Sequence, residues 1–183
     1  MSASKYKGHI AILTANIIWG LNSPISKTVL NSGDISPFAL TTFRMVGAAA
    51  AFWLVSLFTK RENVPPKDLA MLFFAALCGI VFNQGVFIFG LSMTSPIDAS
   101  IVSTTAPIIT MIIAAFYLKE PITNKKVSGI FLGAVGALML IISGQSTNVS
   151  SGENKIAGDL LCLFAQASVA TYFVIFKDLI SRY

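Results

Sequence analysis

Charge is what this sequence has least of: 11% of its 183 residues are Asp, Glu, Lys or Arg, where a soluble domain carries about 25%. Histidine occurs once, as His9, and cysteine twice, as Cys78 and Cys162. A single histidine excludes an HExxH metal helix and leaves no imidazole deep in the chain to activate a nucleophile. No glycine-rich loop ends in the lysine that a phosphate cradle needs. The cysteines lie far apart in separate apolar blocks, with neither metal-ligand spacing nor a disulfide framework, and are read as packing residues. An enzyme, a bound metal and a cofactor are therefore not expected. A net charge of +5 would suit a nucleic acid, but most of the Lys and Arg residues sit in short segments between apolar blocks, which marks topology and decides against that partner.

What the sequence has instead is apolar length. Hydrophobic residues make up 55% of it, gathered into six blocks at about Ile10–Leu30, Ser36–Phe58, Leu69–Leu91, Ile97–Leu118, Val127–Ile142 and Ala157–Ile180. A helix of about 20 residues, at roughly 1.5 Å per residue, crosses a hydrocarbon core of about 30 Å. The expected fold is an all-α polytopic membrane protein with six transmembrane helices and the lipid bilayer as its first partner. Lys5 and Lys7 precede the first block, Lys60, Arg61 and Lys67 follow the second, Lys119, Lys125 and Lys126 follow the fourth, and Lys177 and Arg182 close the sixth. The intervening loops hold almost no positive charge, so both termini are expected in the cytoplasm. Lys27 and Lys177 read as headgroup anchors, and Asp98 as a cap on the fourth helix. Asn148-Val149-Ser150, a formal glycosylation sequon, reads as plain polar loop.

The polar residues inside these blocks share a depth. Trp19, Asn22 and Ser23 in the first helix, Arg44 in the second, Asn83 and Gln84 in the third, Thr104, Thr105 and Pro107 in the fourth, and Gln166 and Thr171 in the sixth fall at or slightly outward of mid-membrane. Each has a bland reading. A membrane Asn or Gln is often helix–helix glue worth about 0.6 kcal/mol, and Arg44, whose insertion costs at least about 2.5–3.5 kcal/mol, reads equally as a structural clamp or as an attractor for an anionic solute. Their convergence on one layer favours a polar cavity. Pro107 lacks a backbone donor, and such a break persists in lipid only where hydroxyls, protein or a water-filled cavity satisfy the freed groups. The fifth block has no polar side chain from Gly129 to Ile142; its Gly129-xxx-Gly133-xxx-Ala137 ridge suits close helix packing.

Gly8–Lys27 laid on Gly158–Lys177 matches Gly8, Leu13, Ala15, Ile25 and Lys27 with Gly158, Leu163, Ala165, Ile175 and Lys177. Five spans separate the copies, so the second would enter the membrane inverted, as in many secondary transporters.

Ser103–Pro107, continued by Leu118-Lys119-Glu120-Pro121-Ile122-Thr123, resembles the hallmark segment of the EamA repeat of the drug/metabolite transporter superfamily. Trp19-Gly20-Leu21-Asn22, Ser36-Pro37 with Phe43-Arg44, Gly90-Leu91 and the glycine-rich Gly129–Leu140 resemble the family's patterns on the other helices of that repeat. The resemblance implies ten helices in two inverted five-helix repeats, with a cavity lined mainly by helices 1, 3 and 4 and their counterparts. It implies export of a small metabolite, amino acid or drug-like solute by alternating access without ATP, with a coupling proton or ion as a further partner. On that pattern residues 1–7 form a cytoplasmic N-terminus, 8–144 one complete EamA repeat, 145–156 an extracytoplasmic loop and 157–183 the first helix of a second repeat, in the plasma or bacterial inner membrane. A chain ending after the sixth helix is expected to be a truncated or half-size form that takes its missing helices from a partner chain or dimer. The alternative is a non-transporting membrane assembly protein whose polar layer only holds helices together.

Overall fold

The computed structural model describes residues 3–59, 64–119, 123–144 and 155–182, and every regular element among them is helical. In order these are α1 (Ala3–Asn31), α2 (Pro37–Ser56), α3 (Pro66–Ala76), a π-helical segment (Leu77–Gly85), α4 (Val86–Met93), α5 (Pro96–Ser103), α6 (Ala106–Tyr117), α7 (Asn124–Gly144), α8 (Lys155–Ile175) and α9 (Lys177–Arg182). The third and fourth expected spans are thus interrupted helices, Pro66–Met93 and Pro96–Tyr117. With Pro37–Ser56 and Lys155–Ile175 they are the four described helices long and apolar enough to cross a membrane. The first and fifth expected spans fall on α1, 29 residues, and α7, 21 residues. The Glu120-Pro121-Ile122 turn, Lys60, Arg61, the sequon and positions 145–154 of the expected loop lie outside the described residues.

The starts of α2 and α5 are written by one dipeptide. Ser36 and Ser95 sit in extended backbone, and their hydroxyls accept from the N–H of Ala39 and of Asp98. The proline that follows each occupies the first turn, where its missing donor costs nothing. Pro107 is accommodated in the same way, at the start of α6. The helix does not leave a gap before it but tightens. Thr104 and Thr105 donate backbone N–H to the carbonyls of Ile101 and Val102, three residues back, each at 3.0 Å. Their hydroxyls donate to the same two carbonyls at 2.7 and 2.6 Å.

The core lies where α8 runs antiparallel to the third span. Gly158, Cys162, Ala165, Gln166, Ser168, Ala170 and Val174 are buried along α8, an i, i+4, i+7 stripe that meets Phe87, Ile88 and Leu91 of α4 and Ala99 and Val102 of α5. Glycines permit the approach. A Cβ on Gly90 would lie 2.7 Å from the Cys162 sulfur and 2.7 Å from the Gly158 carbonyl oxygen; one on Gly158 would lie 2.8 Å from the Gly90 carbonyl; one on Gly79 would press the Tyr172 ring at 2.9 Å. Polar bonds stitch the same seam: the Asn83 amide donates to the Ala165 carbonyl at 2.9 Å and the Ser168 hydroxyl to the Cys78 carbonyl at 2.8 Å. In the α7 ridge, by contrast, Gly133 meets Ile108 at an ordinary 3.4 Å and nothing lies within 4 Å of a Cβ on Gly129.

Both ends of the bundle are tied. At one end the Lys27 ammonium donates to the carbonyls of Leu91 and Ser92 at 2.9 and 3.0 Å. It thereby caps the C-terminus of α4, where the helix dipole favours a cation, a task more specific than headgroup anchoring. There too Asp98 of α5 pairs with Lys155 of α8 at 3.1 Å, and the Thr94 hydroxyl donates to Asp159 at 2.6 Å. At the other end Ala75, Phe176 and Leu179 form a small cluster, and Arg182 pairs with the buried Asp68 at 3.3 Å.

Gly90→Ala is expected to destabilise the protein by about 1–3 kcal/mol, as overpacking does, read as a lower melting temperature in detergent. Combining it with Cys162→Ala will not restore stability, because the Gly158 carbonyl remains in the way. Gly129→Ala, with open space around it, should leave the melt unchanged.

Candidate functional site

Along α1 the residues Ala15, Ile18, Trp19, Asn22, Ile25, Ser26 and Val29 recur every three or four positions and so share one face. That face forms one wall of a cleft of about 640 Å³, closed by Leu40 and Arg44 of α2 and by Gln84 of the π-helical segment. Ligand pockets for small molecules run about 300–1,000 Å³, mostly apolar with a few convergent polar groups, and this cleft has that make-up. Ile18, Trp19 and Ile25 expose 66%, 67% and 59% of their surface, so the apolar wall is open to whatever enters.

The polar groups of the cleft form a continuous chain of hydrogen bonds. The Ser26 hydroxyl donates to Asn22 Oδ1 at 3.4 Å. Arg44 donates through Nη1 to the Ser26 hydroxyl at 3.4 Å and through Nη2 to Gln84 Oε1 at 3.3 Å. Gln84 Nε2 donates to Asn83 Oδ1 at 3.3 Å, and Asn83 passes the chain on to the Ala165 carbonyl. Four elements, α1, α2, the π-helical segment and α8, are joined through it. Within the π-helical segment two consecutive residues serve different neighbours: Asn83 is buried against α8 while Gln84 reaches Arg44. Such wide turns are rare and concentrate at functional sites.

The residues picked out by depth separate into two groups. Trp19, Asn22, Arg44 and Gln84 line the one cleft. Ser23, buried on α1, does not line it. Asn83 bonds α8, and Gln166, also buried, donates to the Ser103 hydroxyl at 3.2 Å; both serve helix contacts. Thr104 and Thr105 turn their hydroxyl donors to the broken backbone beside Pro107, and Thr171 bonds the Ala167 carbonyl of its own helix. Ser26 escaped the sequence reading, although its position one turn after Asn22 was the available signal. The π-helical segment left no signal beyond Gly79 in its first turn and Gly85 at its end. Among the described residues no cluster of His, Cys, Asp and Glu could hold a metal ion.

A second cavity, of about 510 Å³, lies at the end of the bundle tied by Lys27, Asp98 and Lys155. Of those three groups, Lys27 is engaged by the α4 carbonyls and Asp98 and Lys155 by each other, as described above.

Comparison with known proteins gives the same class. The model of the EamA-like transporter family matches residues 6–142. The chain is 27% identical over 169 residues to "Uncharacterized transporter YyaM" of Bacillus subtilis, covering 91% of this chain and 54% of that protein. It is 31% identical over 172 residues to "Protein WALLS ARE THIN 1" of Arabidopsis thaliana, covering 92% and 38%, and 28% identical over 177 residues to an "Uncharacterized transporter" of Archaeoglobus fulgidus, covering 97% and 60%. The chain thus spans about half the length of the curated relatives it matches. No solved structure matches it.

Cysteines introduced one at a time on a background lacking Cys78 and Cys162 should divide as the two groups do. Asn22→Cys and Gln84→Cys are expected to react with a polar thiol reagent in intact membranes; Asn83→Cys and Gln166→Cys are expected to be protected. Equal protection at all four positions would contradict an open cleft.

Proposed function

The chain belongs to the EamA-like transporter family, and from that premise we propose that it acts in secondary transport of a small metabolite, amino acid or drug-like solute, with the α1–α2 cleft as the solute site. Membership and the apolar helices make it an integral membrane protein. One observation carries the reading of the site. Asn22, Arg44 and Gln84 converge on a single cleft of about 640 Å³ whose other walls are apolar, whereas Asn83 and Gln166 hold helices together. The assembly reading accounts for the second pair and for the links Arg44 makes to Ser26 and Gln84, but not for an open cleft whose apolar wall, Trp19 included, is exposed.

The wider reading is as follows. Six spans cross the plasma membrane or bacterial inner membrane with both termini in the cytoplasm, residues 8–144 form one EamA repeat and 157–183 begin an inverted second. The alternation of basic loops supports this orientation. The end of α1 and the start of α8 also line one cavity, so the two helices run in opposite directions, as inverted copies would. Export by alternating access, coupled to a proton or another ion, is the direction and mechanism we assign.

In proteoliposomes or whole cells, Trp19→Ala and Asn22→Leu are expected to slow solute efflux about tenfold or more, the equivalent of roughly 1.4 kcal/mol of lost contact. Trp53→Ala, at a residue 75% exposed on α2 and outside the cleft, should leave efflux unchanged. Native efflux from both cleft variants, with loss only in Asn83→Leu and Gln166→Leu, would replace this reading by the assembly one.

A further inference from the structure

We infer that the cleft is selective for a monoanionic carboxylate carrying an apolar, ring-sized body, with Arg44 as the group that holds the carboxylate; this rests on the cleft being the solute site. The inference starts from an unbalanced charge. Arg44 is the only ionisable residue in α2, between Pro37 and Ser56, and the only one lining the cleft. Among the described residues its hydrogen-bond partners are Ser26 and Gln84, both neutral, at 3.4 and 3.3 Å. Bonds from a guanidinium to an anion run about 2.7–2.9 Å and are commonly paired, fork to fork. The contacts Arg44 makes therefore fix its position without neutralising it.

Among the described residues no carboxylate lines the cleft, and the three buried or bonded ones of the bundle are committed elsewhere. Asp98 pairs with Lys155, Asp68 with Arg182, and Asp159 accepts from Thr94, all at the ends of the bundle. A guanidinium at this depth is costly without an anion. The low dielectric that raises the cost also strengthens the bond to an anion that arrives. One positive charge among neutral groups balances one negative charge, so a monoanion fits and a dianion would leave a net charge in an apolar cleft. Asn22 adds selectivity: its carbonyl oxygen accepts from Ser26, which leaves its amide N–H groups for a second acceptor. The rest of the solute faces Ile18, Trp19 and Ile25, where a ring can stack on the indole in offset fashion.

The test uses the protein in nanodiscs of phosphatidylcholine, a zwitterionic lipid that offers no net anionic headgroup to compete, and compares phenylacetate with its neutral isostere phenylacetamide by calorimetry. Phenylacetate is expected to bind at least about tenfold more tightly. Arg44→Gln should bring the two ligands to equal affinity, and Arg44→Lys, which keeps the charge and loses the fork, should retain part of the preference. The acid–amide comparison in the native protein needs no variant, so a poorly folding Arg44→Gln does not shelter the inference. Affinities within about twofold of each other, or a preference that survives in Arg44→Gln, would overturn the carboxylate assignment. If Trp19→Ala then weakened both ligands, the cleft would stand as a solute site of another selectivity. Failure of both ligands to bind, with Asn22→Cys and Gln84→Cys protected from thiol reagent, would overturn the site along with the inference.

Discussion

Inside a hydrocarbon layer a polar atom can be satisfied only by another protein atom or by water that the protein has let in, and most of this structure follows from how that demand is met. The chain from Asn22 through Ser26, Arg44, Gln84 and Asn83 to the Ala165 carbonyl meets it across four helical elements. Because Arg44 donates in both directions and every other member bonds the next in line, the position of any one residue is tied to its neighbour in the chain. A hydrophobic seam such as that of α4 with α8 sets how close two helices come. The polar chain adds the rotational setting, because an amide on the wrong face of its helix would have no partner.

The interrupted helices answer the same demand by local means. At Thr104-Thr105 the backbone tightens and two hydroxyls return to their own carbonyls, so Pro107 begins a new helix without orphaning the old one. At Leu77–Gly85 the backbone widens. The first device closes a polar gap within one segment; the second carries the two amides, Asn83 and Gln84, that bond α8 and Arg44. Both lie in spans that pack against α8, which explains how irregular backbone survives there.

How much of this could be read beforehand depends on what kind of information a residue carries alone. Depth follows from counting along a block, and Trp19, Asn22, Arg44 and Gln84 were placed in one layer that way. Direction around the helix axis does not, because it is defined by neighbours that the count does not contain. Asn83 and Gln84 are adjacent in sequence and indistinguishable by depth, yet one is buried glue and the other faces the cleft. The Ser-Thr-Thr-Ala-Pro run announced a helix break because proline and hydroxyls are side-chain signals. The π-helical turn did not, since a shift in backbone bonding from one carbonyl to the next needs no special residue. Gly90 and Gly158 were visible as glycines, but their mutual contact is a property of two segments 68 positions apart, the difference of their numbers.

The attachment of α2 has a mechanical side. Not one of its residues is buried, and Arg44 is its hydrogen-bonded link to α1 and to the π-helical segment. The same guanidinium therefore serves as fastening and as the cleft's only charge. Whatever occupies the cleft and draws those N–H groups away from Ser26 and Gln84 loosens the fastening by as much as it gains from them, since a ligand shifts a conformational balance by its differential affinity for the two states. Holding α2 in place and holding an anion thus draw on one set of donors, so the two tasks are coupled at a single side chain.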